Sequence, residues 1–346
     1  MYEVDYSWLI TEDKPLSQYC HNTRLLSDYV KKEEVIFSHF KAFKKSKICL
    51  DKVCFFDLIP ESILRSYLDL KNEVTLDVWE NNIFDENYYN TLKRAHTLCS
   101  SMESYSVNLD KPWLRENKHK YNTNKFNNKH IKYDIFKTKT GRLSTKKDSF
   151  PILNMNTLLR RALLPNSDLF VSFDYNAAEV RTMLALMGIE QPKSDIHSTH
   201  SKVLKTDRKE AKSTFFSWLY DPVKKHKYFD STYDRGKLLD KYYYNGCVET
   251  DFGRSMPVEK DKAFNYILQS TANDIAIENF YKVQQHLVGK KTKIAFMIHD
   301  SLVLDVSKEE SSDLLQIKNL IEETRYGTIN CSLSVGKNLL DMREVA

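Results

Sequence analysis

The chain has 346 residues, of which 41% are hydrophobic and 12% aromatic, so it can bury two or three cores and wholesale disorder is excluded. Its longest apolar runs are five or six residues, far below the roughly 20 that a transmembrane helix needs, and the acidic start Met1–Asp5 predicts no signal peptide. The net charge of +5 is a mild excess, and its distribution matters more than its size.

The six cysteines are scattered along the chain, at positions 20, 49, 54, 99, 247 and 331. None of them forms a C-x-x-C pair. This pattern predicts reduced thiols in an intracellular protein and gives no sign of a zinc site.

The first half of the chain reads as helices followed by a polar segment. Apolar periodicity predicts a helix over 17–45 and mostly helical structure over 60–105, where Pro60 is a start signal. Residues 106–150 are polar, with a turn at Gly141. From Arg115 to Lys147, eleven Lys and Arg stand against two acids. That basic segment is either a solvated loop or a strip that follows a phosphate backbone.

The second half reads as alternating strands and helices. The first predicted elements are a short extended run and a strand over 152–174, followed by a helix over 177–187 that ends at Gly188. The next helix begins with a capping box at Asp207–Glu210 and ends at Asp221-Pro222. A hairpin over 248–257, a long helix over 262–287 and two strands over 294–306 with a tight turn at His299-Asp300 complete the pattern.

Two of these strands end in an aspartate. The apolar run 169–173 leads into Asp174, and the run 294–298 leads into His299-Asp300. Each aspartate alone would often only cap a turn. Together, on neighbouring strands, they can hold two divalent metal ions roughly 3.5–4 Å apart, the spacing used for in-line phosphoryl displacement. Mg²⁺ suits such a site because it accepts two carboxylates and completes its shell with water and phosphate oxygens.

A cationic helix lies between the two aspartates in the sequence. Arg208, Lys212, Phe216 and Tyr220 recur every four residues and therefore share one broad helical face. Arg and Lys would meet phosphates, and the two rings would lie against a sugar and a base. An ordinary surface helix could also carry such charges. The order, with charge at one end and aromatic rings at the other, favours a nucleotide-binding face.

Seven motifs in this order resemble those of family A DNA polymerases, the DNA polymerase I family, and in particular its compact phage versions. They cover about 138–340 and are, in chain order, Thr140-Gly-Arg142-Leu-Ser144, Asp174-Tyr-Asn-Ala-Ala-Glu179-Val-Arg181, Asp195-Ile-His197, Arg208 through Tyr220, Asn265-x-x-x-Gln269-Ser-Thr-Ala-Asn-Asp274, His299-Asp300-Ser301, and Val335-Gly-Lys-Asn338. The first is similar to the family's primer-strand contact.

The resemblance implies a role for each matching residue. Asp174 and Asp300 would be catalytic and ligate both metals, with the Tyr175 carbonyl as a backbone ligand. The incoming triphosphate would be held by Arg208, Lys212 and His197, with Lys212 also a candidate acid for the pyrophosphate; Phe216 would pack on the sugar, and Tyr220 with Glu179 would exclude a ribose 2′-hydroxyl. DNA contacts would come from Thr140, Arg142, Asn265 and Gln269, with His299 near the primer terminus.

The chain also departs from the family pattern. Ser301 stands where the family has a glutamate, which removes a third carboxylate from the metal site. Asp221-Pro222 replaces a glycine and stiffens the end of the cationic helix. Near the N-terminus, Tyr19-Cys-His-Asn-Thr23 is either a chance match or a decayed proofreading-exonuclease motif with Thr23 in place of the aspartate. No D-x-E sequence occurs in the chain, so no 3′→5′ exonuclease is expected.

The resemblance implies an α+β right-hand polymerase with an antiparallel-sheet palm, helical fingers and a helical thumb. The implied parts are an N-terminal helical segment (1–45), the thumb (46–135), the palm (136–194 and 263–346) and the fingers (195–262). The expected function is primer-dependent DNA synthesis from dNTPs with two Mg²⁺ ions, which Mn²⁺ could replace.

The expected partners are primer-template DNA, dNTPs and separate exonuclease or replisome proteins, for a monomer in the cytoplasm of a bacterial or phage-infected cell without membrane association. Two alternatives stay open: a single-subunit RNA polymerase, which the bulky acid Glu179 disfavours, and a non-catalytic duplex-DNA-binding protein with a retired site.

Overall fold

The computed structural model describes residues 7–12, 14–48, 53–82, 84–120, 126, 128–192 and 194–345. The acidic start Met1–Asp5, Cys49 and Lys125 of the basic segment lie outside the described residues. The other cysteines, at 20, 54, 99, 247 and 331, are free thiols. None of the helices formed by the described residues is long and apolar enough to cross a membrane.

The chain divides into two compact units, Met1–Tyr89 and Asn90–Ala346. The helices of the first unit are α1 (Ser7–Ile10), α2 (Thr23–Lys45) and α3 (Glu61–Asn81), with single turns of 3-10 helix at Leu16–Gln18 and Phe55–Leu58. The side chain of Asn22 starts α2 by accepting a hydrogen bond from the Leu25 amide at 3.1 Å. The predicted helix over 17–45 is therefore confirmed from Thr23 onwards.

Helices α2 and α3 share one apolar core. The rings of Tyr29 and Tyr67 stack with 5.8 Å between their centroids, and Val74 and Val78 are fully buried in the same cluster. The predicted division at 45/46 falls between these two helices, and the assignment of the parts on either side stays a prediction. The observed division at 89/90 falls inside α4 (Glu86–Glu103) and coincides with none of the predicted boundaries.

The second unit combines helices with short sheets. Its helices after α4 are α5 (Lys111–Asn117), α6 (Ala178–Met187), α7 (Ile196–Leu204), α8 (Arg208–Tyr220), α9 (Lys227–Thr232), α10 (Arg235–Tyr242), α11 (Lys260–His286) and α12 (Leu314–Glu322). Its strands are β1 (Asn108–Leu109), β2 (Tyr133–Asp134), β3 (Ser144–Thr145), β4 (Leu163–Leu164), β5 (Leu169–Tyr175), β6 (Tyr243–Tyr244), β7 (Cys247–Glu249), β8 (Ser255–Pro257), β9 (Lys293–Ile298), β10 (Ser301–Val306), β11 (Glu323–Thr324), β12 (Gly327–Thr328), β13 (Cys331–Gly336) and β14 (Arg343–Val345).

The largest sheet has the order β14-β13-β5-β10-β9, and all its neighbouring strands are antiparallel, as predicted for the fold class. Successive side chains of β5 point to opposite faces of the sheet. Val171, Phe173 and Tyr175 are buried on one face, whereas Ser172 and Asp174 lie on the other. Near Asp174 the sheet therefore carries a core on one side and an open polar surface on the other, whereas Phe170, further back on the polar side, is buried.

Most predicted elements of the second half are confirmed. The hairpin over 248–257 is β7–β8, the long helix is α11, and the strand pair is β9–β10. The short extended run predicted before the strand is β4. Ahead of it, residues 152–154 and 157–162 form 3-10 turns. Asn156 starts the second of these turns by accepting a hydrogen bond from the Leu158 amide at 2.9 Å.

Helix α8 buries one face and leaves the other open. Ala211, Phe215, Trp218 and Leu219 are buried, and Phe215 contacts the rings of Trp218 and Phe229 at centroid distances of 5.7 and 5.1 Å. Asp207 caps the helix by accepting from the Glu210 amide at 2.9 Å, as the predicted capping box requires. This packing fixes the opposite face, which carries the four-residue repeat.

Candidate active site

Asp174 and Asp300 come together at one end of the large sheet. Asp174 pairs in register with Ser301, the first residue of β10, and Asp300 directly precedes it. Partial desolvation raises the pKa of Asp174 to about 6, and repulsion from the Asp300 carboxylate adds to the rise. The predicted meeting of the two aspartates is confirmed. Their role as metal ligands stays a prediction.

The turn between β9 and β10 presents His299 and Asp300. His299 has a φ of 53°, a left-handed conformation that is uncommon for a residue with a side chain. Both residues line an open cleft of about 720 Å³ that also contains Asp174 and Arg142. The turn therefore directs its polar side chains to the open face of the sheet.

Serine side chains form much of the floor of this cleft. Ser172, Ser301, Ser332 and Ser334 line it, and the hydroxyls of Ser172 and Ser301 are 2.7 Å apart. Only Ser301 of these four was a predicted site residue. The alternation of serines at 332 and 334, which places both on one face of β13, is the signal that could have identified those two. The lining of the cleft also includes the charged residues Arg142 and Arg160 and the apolar residues Ile298, Val303, Leu339 and Met342.

Glu179 connects the sheet to helix α8. It lies in the first turn of α6 and accepts hydrogen bonds from the Arg142 guanidinium and the Tyr220 hydroxyl. Burial raises the pKa of Glu179, and the Arg142 charge acts in the opposite direction. Arg142, Glu179, Gln269 and Asp300 line a second, smaller cavity next to the cleft. Five predicted site residues therefore lie in one group, namely Arg142, Glu179, Tyr220, Gln269 and Asp300.

The exposed face of α8 continues from Tyr220 with the residues in the predicted order. The ring of Phe216 stacks on that of Tyr220 at 5.6 Å and 13°, and the Lys212 ammonium lies 5.8 Å from the Phe216 ring centroid. At the first turn, Arg208 forms a two-point ion pair with Asp195 at 2.9 and 2.8 Å. That pairing was not predicted, although both residues belong to motifs that were recognised.

Two of the predicted nucleotide and metal ligands have buried side chains. His197 is 2% exposed, and both of its ring nitrogens lack a hydrogen-bond partner. Burial lowers its pKa to about 4, so the imidazole is neutral at pH 7. A phosphate contact would need this ring to become accessible. The Tyr175 side chain stacks on Phe280 in the core at 5.9 Å and is not a ligand at the cleft. The predicted metal contact through its backbone carbonyl stays a prediction.

The predicted DNA contacts do not all face one cavity. Gln269 shares the small cavity with Arg142, whereas Asn265, one helical turn earlier on α11, lines a separate pocket of about 190 Å³ with Tyr220. Thr140 is 8% exposed and belongs to the turn that leads into Arg142.

The donor set fits a hard divalent cation. No group of three or more His, Cys, Asp or Glu able to hold a metal occurs within the described ranges. A cation in this cleft would therefore have Asp174 and Asp300 as its two carboxylate ligands. Mg²⁺ is commonly bound by one or two carboxylates, with water and substrate phosphates completing its shell. Soft metals would prefer thiolate or imidazole ligands, and the described lining residues of this cleft offer no thiolate and a single imidazole, that of His299.

Known proteins with similar sequences are DNA polymerases. The chain is 26% identical over 185 residues to the DNA polymerase of Mycobacterium phage L5 (44% of this chain, 31% of that protein). It is 25% identical over 262 residues to DNA polymerase I of Streptococcus pneumoniae (59% and 30%) and 24% identical over 272 residues to the thermostable DNA polymerase I of Thermus aquaticus (62% and 33%). The matched regions thus span about a third of these relatives. No family model matches the chain.

A solved structure shares the fold. The POL domain of Pol1 from M. smegmatis, in complex with DNA primer-template and dNTP, matches with a TM-score of 0.52 at 14% identity. The match covers 96% of this chain and 66% of that one. In sequence the chain is therefore similar to DNA polymerases, among them DNA polymerase I of two bacteria. In fold it is similar to the polymerase domain of Pol1.

Proposed function

We propose that this chain performs template-directed, primer-dependent DNA synthesis from dNTPs by two-metal nucleotidyl transfer, without proofreading. The observation that carries the proposal is the meeting of Asp174, near the end of β5, and Asp300, directly before the adjacent antiparallel strand β10, at an open polar cleft. The raised pKa of Asp174 supports it, because two carboxylates that repel each other in a partly desolvated site gain stability when a cation joins them.

The reaction needs a polarised 3′-hydroxyl and a stabilised pyrophosphate. Two Mg²⁺ ions, when bound by Asp174 and Asp300, lower the pKa of the hydroxyl and neutralise the leaving group. The Tyr175 carbonyl is the proposed backbone ligand. Mn²⁺ is a proposed substitute because it accepts the same oxygen ligands. Ser301 leaves the site with one carboxylate fewer than the family pattern.

The residues of α8 and its neighbours bind and select the nucleotide. Arg208 and Lys212 hold the triphosphate, and Lys212 donates a proton to the pyrophosphate. Phe216 packs on the deoxyribose. Glu179 and Tyr220, joined by their hydrogen bond, close the space that a ribose 2′-hydroxyl would need. Binding of the triphosphate by Arg208 competes with the Asp195 carboxylate, which holds the guanidinium in the absence of nucleotide.

The polymerase hand follows from the same proposal. The large sheet with α11 is the palm, and 195–262 form the fingers. Because α2 and α3 share a core, both belong to the thumb, which then begins before residue 46. The Tyr19–Thr23 segment has a structural role that needs no metal, since the His21 amide donates to Asp77 at 2.9 Å and Asn22 caps α2.

Primer extension on a templated hairpin tests the proposal. With Mg²⁺, the chain is expected to extend the primer with dNTPs, to use rNTPs poorly, and to leave a 3′ mismatch in place. Efficient rNTP use would identify an RNA polymerase instead. Duplex binding without any extension would identify a non-catalytic DNA-binding protein.

A further inference from the structure

A buried ion pair lies beneath the group of site residues. Arg254, in the turn of the β7–β8 hairpin, donates to Asp274 of α11 through Nε at 3.0 Å and Nη2 at 2.8 Å. Their side chains are 6% and 1% exposed. A buried ion pair adds little net stability compared with a well-packed apolar pair, because both charges lose their hydration. Its presence here therefore needs another reason.

The Arg254 guanidinium packs directly against the turn at 138–142, which belongs to the predicted primer-contact motif. Gly141 has a φ of +77°, and a Cβ at this position would lie 2.6 Å from the Arg254 Cζ. The turn is closed above it by two hydrogen bonds, from the Gly141 amide to the Thr138 carbonyl at 3.2 Å and from the Thr138 hydroxyl to the Arg142 carbonyl at 2.8 Å. Only glycine permits this close approach of the backbone to the flat cation.

The turn leads into Arg142, which projects to Glu179 and lines both cavities of the site. Gln269, on the same cavity, precedes Asp274 by little more than one turn of α11. The pair thus joins the helix that carries one predicted DNA contact to the turn that carries another. The fixed fork geometry of a guanidinium on a carboxylate gives this connection a defined orientation.

We propose that Arg254 and Asp274 are positioning residues that hold the 138–142 turn, and through it Arg142, in the geometry that binds the primer strand. The inference rests on the proposed function. Neither residue touches the nucleic acid, and both act through Arg142.

A double-mutant cycle measured by DNA binding tests this inference. Arg254→Met combined with Asp274→Leu replaces the pair by apolar side chains and leaves no buried charge unpaired. Arg142→Ala removes the contact itself, and the triple variant combines both changes. The dissociation constant for a fluorescent primer-template is measured by anisotropy without dNTP, together with the KM for dNTP and thermal unfolding of each variant.

The expected result is a loss of about tenfold in primer-template affinity for Arg142→Ala, the size of one charge-assisted hydrogen bond. The pair replacement causes a similar loss, and the triple variant binds no more weakly than Arg142→Ala alone, since coupled residues are not additive. In the pair replacement the KM for dNTP stays within about twofold of the wild-type value, because the proposed role of the pair is to position the primer contact. If the pair had only a structural role, its replacement would lower the unfolding temperature, but its effect on primer-template affinity would not be coupled to that of Arg142→Ala.

Arg325→Met is the matched control. Arg325 forms a two-point ion pair with Glu278, one helical turn further along α11, at 3.1 and 2.7 Å, and its loss is expected to leave DNA affinity unchanged. If the pair replacement does not fold, Arg254→Lys, which keeps the charge but not the planar fork, is expected to give an intermediate loss.

Wild-type affinity in the pair replacement would overturn the inference, and so would losses that multiply in the triple variant. Unchanged primer-template affinity in Arg254→Lys would also overturn the inference. A wild-type chain that binds primer-template without extending it would end the proposed function and leave this inference standing.

Discussion

Asp195 and Arg208 hold each other in a two-point ion pair at the N-terminus of α8, and the same aspartate caps α7 by accepting from the Ser198 amide at 2.6 Å. The Arg208 guanidinium keeps the pKa of Asp195 well below its usual range. The cation proposed for the triphosphate is therefore already engaged by a carboxylate when no nucleotide is bound.

Asp195→Asn is expected to tighten nucleotide binding. Asparagine retains the cap but not the charge, so Arg208 is released and the triphosphate meets one anion fewer. For an exposed pair worth about 1 kcal/mol, the KM for dNTP should fall about fivefold with little change in kcat. Single-nucleotide incorporation kinetics measure both. Asp207→Asn, which alters the neighbouring cap without touching Arg208, is the control. A higher KM in Asp195→Asn would mean that the pair orients Arg208 for the substrate.

Glu179→Ala is expected to relax sugar selection. The carboxylate and the Tyr220 hydroxyl that donates to it close the space under the sugar, and alanine opens that space to a 2′-hydroxyl. The ratio of kcat/KM for rCTP to that for dCTP should rise about tenfold or more. Loss of the Arg142 contact would lower both values without changing their ratio. An unchanged ratio would remove Glu179 from sugar recognition.

Phe216→Tyr is expected to relax discrimination against dideoxynucleotides. Phenylalanine offers no hydroxyl to replace the missing 3′-hydroxyl of a terminator, whereas tyrosine can donate one hydrogen bond there. The wild-type chain should therefore discriminate strongly, and the variant should incorporate ddNTPs about tenfold more readily. Competition between ddCTP and dCTP in a termination ladder measures this. Equal incorporation by both forms would show that Phe216 lies away from the sugar.

Asp174→Asn is expected to stabilise the metal-free protein. The folded pKa of Asp174 is about 6, raised from 3.8, so its ionised form opposes folding, and the penalty grows as pH rises from about 4 to about 6. Because the carboxylate is open to solvent on one side, the gain at pH 7.5 should be about 1 kcal/mol rather than the full shift. Urea unfolding in EDTA should show this gain at pH 7.5 and none near pH 4. A less stable variant at pH 7.5 would contradict the shift.

The sequence predicted the site better than the packing that supports it. Strands ending in Asp174 and at His299-Asp300, and the repeat on α8, follow from local periodicity and motif order, and the structure has them. The Asp195–Arg208 and Arg254–Asp274 pairs join residues 13 and 20 positions apart, and no local pattern specifies which charges meet. The same limit applies to the shared core of α2 and α3, since their amphipathic faces do not reveal that they pack on each other.

We expect Asp174 and Asp300 together to support metal-dependent nucleotidyl transfer. Primer extension in Mg²⁺ by Asp174→Asn and Asp300→Asn tests it, with Asp168→Asn, a carboxylate just before the opposite end of β5, as control. Each site variant is expected to lose about a thousandfold or more in rate, while the control extends normally and all three bind primer-template like the wild type. Extension at the wild-type rate by either site variant would contradict the account.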